Sequence, residues 1–204
     1  MSAAAQELLE GLDITLRRAT ETWRSAALRQ IVDLFLVSAA SYSGEQVCLF
    51  GEVIGRLMAN IDRAALIELA ERLAPAINAP PKIIGALARH GEAAVYGPVL
   101  TQAEGLAEKD LAEAADRDRV DQNVLAKIAV RRELGEAVTD VLLKRGNRTI
   151  QKTVIDNSDA KISEAGFARV IMGLKGDKEL AAAIDARADV PAELRVWLAA
   201  ALGK

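Results

Sequence analysis

The sequence contains little of the chemistry that most catalytic and metal sites use. Its 204 residues include a single cysteine, Cys48, and a single histidine, His90. One cysteine cannot form an internal disulfide, and one histidine excludes metal sites built on paired imidazoles. Phosphate-loop, dinucleotide-binding, nucleophile-elbow and zinc-protease motifs are also missing. We therefore predict no metal, no other cofactor and, in preference to an enzyme, a protein without catalytic residues.

Both of these single residues have a structural interpretation. His90 lies directly before Gly91, at a position that suits the capping of a helix end. Cys48 lies in the apolar stretch of residues 47–50, where we expect it to be buried as a small hydrophobic side chain. A catalytic thiol would need a nearby base, and no motif in the sequence indicates one.

Aromatic residues and long hydrophobic runs are also scarce. Only 3% of the residues are aromatic although 51% are hydrophobic, so Ala, Leu, Val and Ile supply most of the apolar mass. That composition favours closely packed helices. The most apolar runs fall short of the roughly 18 to 20 residues that span a bilayer, which predicts no membrane insertion. The N-terminal stretch has acidic residues where a secretory signal needs basic ones, so we expect a cytoplasmic protein.

Neither sign of charge predominates along the whole chain. The formal net charge of -3 gives little long-range attraction for nucleic acid or anionic membranes. Residues 1–116 contain 10 Lys and Arg against 16 Asp and Glu, whereas residues 117–204 contain 16 against 13. The first part of the chain is therefore acidic and the second part is weakly basic.

Helical periodicity runs through most of the chain. In residues 64–77, apolar positions recur at three- and four-residue steps with charged residues between them, and several other segments show the same pattern. No convincing pair of strands is present. The sequence predicts an all-α protein.

A glycine followed by an acidic residue marks four candidate corners. These glycines are Gly44, Gly91, Gly135 and Gly176, at spacings of 47, 44 and 41 residues. We expect each glycine to end a helix in the left-handed conformation, and the acid to favour the start of the next helix. A period of this length, with two helices around each corner, is typical of HEAT-like or armadillo-like hairpin repeats. Because each hairpin buries its apolar face by stacking on the next, we predict a short right-handed solenoid.

The expected organisation is a single α-helical repeat domain over residues 1–204. It consists of N-terminal helices in residues 1–60, repeat hairpins in about residues 61–186 and a C-terminal capping helix in residues 191–203. Proline supports two of the helix starts, at residues 80–81 and at Pro191, because the first turn of a helix needs no backbone donor. No long linker divides the chain.

The feature that most resembles a phosphate site is the basic stretch Leu142–Asn157, LLKRGNRTIQKTVIDN. Its structural interpretation is a corner at which Gly146 ends one helix and Asn147 caps the next, with Lys144 paired to Asp140. We prefer this interpretation because the stretch lacks interleaved aromatic residues and a glycine-rich loop. The alternative is a patch for nucleic acid, a phosphate ligand or an acidic partner. Its residues would be Arg131, Arg132, Lys144, Arg145, Arg148 and Lys152.

Trp23 and Trp197 lie near opposite ends of the sequence. We interpret both as capping or packing residues, because terminal repeats must cover an otherwise open core. The alternative is an exposed anchor in a protein interface, where tryptophan is enriched.

Acidic pairs supply a further hypothesis, an enzyme with a site assembled from scattered acids and His90. Glu68 with Glu71, and Glu104 with Glu108, sit among exposed helix positions where solvated carboxylates are the ordinary outcome. The hypothesis requires these groups to converge with His90 in one concave pocket.

Three segments resemble the domain of unknown function 2336 family. They are the pair APPKIIGALARH and VYGPVL, the block LLKRGNRTIQKTVIDNSDAKIS, and the late RADVP, and the likeness extends over roughly residues 26–200. The resemblance implies an all-α domain with HEAT-like hairpins in a cytoplasmic, mainly alphaproteobacterial family. It supplies no established activity and no catalytic residues to carry over.

The sequence favours a non-enzymatic interaction, scaffold or regulatory module whose partner is another protein or a peptide. Stacked amphipathic hairpins, the unlike charge of the two parts of the chain and the lack of an assembled catalytic set motivate this hypothesis. Binding of nucleic acid or a phosphate ligand through the basic residues of 127–152 is the alternative.

Overall fold

The computed structural model describes residues 3–59 and 61–203, and within them the chain is all-α, as predicted. These residues form thirteen α-helices and one short 3₁₀ helix, Ala39–Ser41, with no strand among them. The helices are α1 (Ala3–Leu16), α2 (Glu21–Ser38), α3 (Gly44–Leu57), α4 (Arg63–Leu73), α5 (Pro81–Ala88), α6 (Ala93–Gln102), α7 (Glu108–Ala115), α8 (Gln122–Ala129), α9 (Glu136–Arg145), α10 (Arg148–Asp156), α11 (Glu164–Met172), α12 (Lys178–Asp185) and α13 (Ala192–Leu202). None of the helices in the described residues combines the length and the apolar character needed to cross a bilayer.

Short polar residues determine where many of the helices begin. At these positions a side-chain oxygen accepts a hydrogen bond from a backbone N–H of the first turn, which has no partner within the helix. Ser43 forms a complete capping box with Gln46 at the start of α3. The other side-chain caps are Thr20, Asp62, Asp121, Asn147, Ser163 and Asp177. Asn147 therefore caps a helix, as predicted.

The chain divides into two compact units, Met1–Leu106 and Ala107–Lys204, and each is described by itself. In the first unit, helices two apart in sequence lie side by side. α2 contacts α4 and α4 contacts α6, which form an even-numbered row, while α1, α3 and α5 form an odd-numbered row. Leu28, Phe35 and Ile54 are almost completely buried between the helices, and the Phe35 ring centroid lies 5.2 Å from that of Phe50.

The second unit has the same pairing with a more regular spacing. Its odd row consists of α7, α9, α11 and α13, and its even row of α8, α10 and α12. The helices of the odd row begin at Glu108, Glu136, Glu164 and Ala192, which are 28 residues apart each time. Residues one or two spacings apart therefore occupy corresponding positions on successive helices of the row.

The four glycine corners all lie at junctions between helices, although Gly44 is itself the first residue of α3, and the expected helix count between the corners is wrong. Gly44 begins α3, Gly91 lies between α5 and α6, Gly135 between α8 and α9, and Gly176 between α11 and α12. Three helices, not two, separate each corner from the next, because most of the helices are shorter than a 41–47 residue hairpin requires. Only Gly176 of the four has a left-handed backbone, with φ 86°, so that part of the expectation is also wrong for the other three.

Candidate functional site

The six residues of the predicted basic patch do not form one cluster. Arg131 and Arg132 follow the end of α8 and precede the start of α9, whereas Lys144 and Arg145 close α9. Since α9 has 10 residues, its two ends are about 15 Å apart. Arg148 and Lys152 belong to α10. The described structure thus separates the first two arginines from Lys144 and Arg145.

Arg145 is held by backbone carbonyl groups. Its guanidinium donates hydrogen bonds to the carbonyl oxygens of Ala115 and Arg117, and lies 3.4 Å from that of Val120. These carbonyls belong to the end of α7 and the loop that follows, where the helix leaves acceptors unpaired. A partly buried guanidinium engaged in this way stabilises the α7–α8 connection and does not present its donors to a phosphate.

Arg148 and Lys152 are surrounded by carboxylates. Arg148 donates to Asp177 at 2.5 and 3.0 Å and to Glu179 at 2.6 Å. Lys152 donates to Asp156 at 2.6 Å and lies 3.8 Å from Glu179. The hydrogen bonds to Asp177 and Glu179 raise the pKa of Arg148 above its usual value, and the bond to Asp156 raises the pKa of Lys152. The hydrogen bond from Arg148 lowers the pKa of Asp177 to about 2.

We expect the Asp177 carboxylate to make stability depend on pH in the acidic range. Its pKa is lower in the folded state, so the unfolded chain binds the proton more readily. The stabilisation is present above the ordinary pKa of about 4 and is lost as the pH falls toward about 2. Asp177→Asn keeps a residue able to cap α12 but removes the charge. Its free energy of unfolding, measured by urea denaturation, should therefore change less than that of the wild type over this pH range.

Arg148→Ala should reduce the same pH dependence, because it removes the guanidinium that lowers the Asp177 pKa. An Asp177→Asn protein whose stability follows the wild-type pH curve would contradict this assignment.

Lys144 pairs with a different carboxylate from the one predicted. Its ammonium group lies 3.2 Å from Asp116, on the neighbouring helix of the odd row. Asp140 instead accepts a hydrogen bond at 2.6 Å from the Ser163 hydroxyl, at the N-cap of α11. The predicted Lys144–Asp140 pair is therefore wrong, because the side-by-side packing of α7, α9 and α11 supplies each residue with a partner on an adjacent helix.

Sequence reasoning missed two further residues that bind carbonyl groups of an earlier helix. The Asn157 amide donates to the carbonyl oxygens of Ala129 at 3.1 Å and Arg131 at 2.9 Å. Arg187 donates to those of Ile155, Asn157 and Ala160 at 2.8 to 2.9 Å. These contacts join the ends of successive even-row helices. The acceptors are backbone atoms, so no side-chain pattern in the sequence predicts these contacts. The sequence shows only that Asn157 and Arg187 come near the ends of helical segments.

The single histidine occupies a loop between α5 and α6. His90 Nδ1 accepts a hydrogen bond from the backbone N–H of Glu92 at 3.2 Å, which agrees with the expected role at a helix end. Glu92 in turn forms an ion pair with Arg63. His90 thus has a local structural contact.

The acids proposed for an enzyme site have other contacts. Glu68 pairs with Arg29 at 2.7 Å and lies 3.7 Å from Arg72. Glu108 accepts a hydrogen bond from the backbone N–H of Ala137 at 3.1 Å. Across the part of the chain that the structure describes, no three His, Cys, Asp or Glu side chains form a group able to hold a metal ion.

Cys48 is exposed. The expectation that it is buried is wrong, because the turn of α3 that bears it directs neighbouring Val47, and not Cys48, into the core.

A surface groove runs between α7 and α9. It is shallow and open to solvent, has a volume of about 580 Å³, and is lined by apolar residues together with three carboxylates and one lysine. The residues that line it are Glu108, Lys109, Ala112, Glu113, Asp116, Ala137 and Val141.

Several large apolar side chains are exposed at the surface of the second unit. Trp197 is 70% exposed and its neighbour Val196 is 72% exposed, both on α13, while Met172 at the end of α11 is 79% exposed. Trp23, in the first unit, is 45% exposed. The interpretation of Trp197 as a packing residue does not agree with this exposure, whereas the alternative of an exposed anchor does.

The described structure is that of an all-α protein in which short helices stack in paired rows and most of the polar clusters hold helix ends. A family model matches residues 95–204, more than half of the chain, and the chain belongs to that family, DUF2336, described as an uncharacterised protein conserved in bacteria. The match includes three of the motifs noted in the sequence, VYGPVL, the basic block and RADVP, whereas APPKIIGALARH precedes it. Comparison with curated proteins and with solved structures gives no match.

Proposed function

We propose that this protein is a non-enzymatic interaction module, with a scaffold or regulatory role, that binds another protein or a peptide. We further propose that its second unit is a HEAT-like helical repeat of three hairpins and a last helix. The 28-residue spacing of the odd-row helices and the contacts between alternate helices support a repeat of stacked hairpins, with a unit shorter than the 41–47 residues expected from the glycine spacing. Stacked repeats of this kind present a continuous row of helix faces that suits recognition of a partner.

The proposal rests on a contrast between two kinds of side chain, since charged groups are bound within the fold whereas large apolar groups are exposed. Charged groups that resemble a site in the sequence, above all Arg145 and Arg148, are engaged by carbonyl groups and carboxylates of the fold. The large side chains left exposed are apolar, with Met172 and Trp197 on adjacent helices of one row. Exposed apolar groups of this size are typical of protein interaction surfaces.

The separation of Arg131 and Arg132 from Lys144 and Arg145, and the engagement of Arg145 and Arg148 by groups of the fold, do not favour nucleic-acid binding, and we do not propose it. The local contacts of His90, Glu68 and Glu108 likewise do not favour an assembled catalytic site.

The proposal predicts a direct and stoichiometric protein partner. The tagged chain would be used for affinity purification and mass spectrometry in a bacterium that carries its gene, with an unrelated all-α protein as the control bait. We expect at least one protein to be retained by this chain and not by the control, and to bind it at a fixed ratio when both are purified. Retention of the same proteins by both baits, or turnover of a metabolite by the purified chain, would refute the proposal.

A further inference from the structure

The helix pair α7 and α9, which borders the groove, corresponds by position to the pair α11 and α13. Both helix pairs are neighbours in the odd row, and the second pair begins two 28-residue spacings after the first. Advancing each lining residue of the first groove by that amount gives the equivalent positions of the second helix pair, which we take as the lining of an α11–α13 groove. They are Glu164, Ala165, Ala168, Arg169, Met172, Glu193 and Trp197.

The chemistry of this second groove differs from that of the first. Where the α7–α9 groove has Asp116 and Val141, the α11–α13 groove has Met172 and Trp197. Both of the latter side chains are more than two-thirds exposed, at 79% and 70%. The substitutions convert a shallow groove with an acidic rim into one with two large apolar side chains that no other part of the described chain covers.

Positive charge lies beside these apolar residues at one end of the groove, since Glu164 and Glu193 belong to the first turns of α11 and α13. Arg169 takes the place that Glu113 has in the first groove, and Lys175 follows the end of α11. Both side chains are exposed, and neither forms a salt bridge with any residue that the structure describes. A ligand that covers Met172 and Trp197 would therefore meet two cations at this end of the groove.

We propose that the α11–α13 groove binds an amphipathic helix of a partner protein, with apolar residues along one face and acidic residues at the end beside Arg169 and Lys175. The inference rests on the proposed interaction function and adds the site and the kind of ligand. A helix whose apolar side chains recur every three or four residues fits a groove between two parallel helices. Trp197 anchors it, since a large aromatic side chain loses little conformational freedom when it is covered. The acidic end provides orientation through charge complementarity.

A displayed library of random 20-residue peptides, selected against the full chain, tests this ligand chemistry. We expect the enriched peptides to carry apolar residues three and four positions apart together with Asp or Glu at one end. Trp197→Ala should weaken their binding by at least tenfold, and Arg169→Glu by several-fold with most of the effect lost at high salt. Trp23→Ala is the matched control, because it removes the other exposed tryptophan, in the first unit, and should leave affinity unchanged.

Fluorescence gives a direct reading of the contact. The chain has two tryptophans, so Trp23→Phe leaves Trp197 as the only one, and a selected peptide should shift its emission on binding. Circular dichroism establishes that each variant is folded, and Trp197→Phe, which keeps an aromatic anchor, should retain more affinity than Trp197→Ala.

Three results would overturn the inference. They are a library that yields no peptide dependent on Trp197, enrichment of basic instead of acidic peptides, and self-association of the chain that depends on Trp197 in sedimentation experiments. The first two would leave the proposed function intact if affinity purification still returned a direct partner whose binding Trp197→Ala does not affect.

Discussion

Replacing Arg187 by alanine should lower the free energy of unfolding by about 3 kcal/mol. The side chain is only 10% exposed and donates to three carbonyl oxygens, those of Ile155, Asn157 and Ala160. Its guanidinium also binds Asp189 at 2.7 and 2.9 Å and lies 5.9 Å from the centre of the Phe167 ring. Alanine would remove all of these contacts and take the guanidinium donor from the Ile155 and Ala160 carbonyl groups, whereas that of Asn157 keeps the backbone N–H of Ala160. Burial without a donor costs more than the net gain from an ordinary hydrogen bond.

Urea denaturation followed by circular dichroism measures this loss. Arg187→Lys should recover only a small part of the stability, because one ammonium group cannot reach acceptors spread over three residues in the way a guanidinium can. Arg132→Ala is the control, since Arg132 is an exposed arginine of the predicted basic patch and its replacement should change stability by less than about 0.5 kcal/mol. Equal effects of Arg187→Ala and Arg132→Ala would show that the carbonyl contacts contribute nothing.

Arg187 also illustrates what could and could not be predicted from the sequence. The all-α class followed from apolar periodicity, and Asn147 and the four glycine corners were placed correctly between helices, because caps and turns depend on residues close together in the chain. The contacts of Arg145, Asn157 and Arg187 join residues about 30 positions apart, and their acceptors are backbone carbonyls with no side-chain signature. No local pattern distinguishes such an arginine from one that binds phosphate.

The repeat length was missed for a related physical reason. Glycine-acid pairs mark only those corners where the chain happens to use glycine, and every third helix junction does so here. A left-handed backbone does not mark the other junctions either, because Glu133 and Lys175 lie beside Gly135 and Gly176, and only Asn78 lies at a different junction, between α4 and α5. In the second unit, the residues that recur every 28 positions are buried apolar residues and an acid in the first helical turn. These acids are Glu108, Glu136 and Glu164. These residue types are too common to identify a period without the helix boundaries.

The same spacing separates structural from interaction roles on the odd row. Positions that face a neighbouring helix contain buried apolar residues such as Leu142 and Phe167, or groups that bind the next helix, as Asp140 binds the cap residue Ser163. Positions that line the outer grooves vary freely in size and charge, from Asp116 and Val141 to Met172 and Trp197. A repeat fold can therefore change its ligand by substitution in one groove while its helix contacts stay intact, which is why we place recognition in the α11–α13 groove.

Replacing Gly146 by alanine should lower the free energy of unfolding by about 2 kcal/mol. Gly146 ends α9, and its N–H donates to the Leu142 carbonyl oxygen at 2.7 Å. A Cβ atom on this residue would strike that carbonyl oxygen and lie 2.6 Å from the Ile150 Cγ2 atom. The backbone cannot easily shift, because Asn147 is fixed by hydrogen bonds to Ile150 at 3.1 Å and to Gln122 at 2.9 Å.

Gly44→Ala is the matched control for this prediction. Gly44 begins α3, has no left-handed backbone, and a Cβ atom there would have no other atom within 4 Å. Alanine at this position should leave stability unchanged or raise it by about 0.5 kcal/mol, because it restricts the unfolded chain. If Gly146→Ala left stability as unchanged as Gly44→Ala, close packing would not explain why glycine occupies this position. Ligand binding by the surrounding basic stretch would then be the better explanation of its sequence. A large loss at Gly146 alone would identify the stretch as a packed corner between two helices.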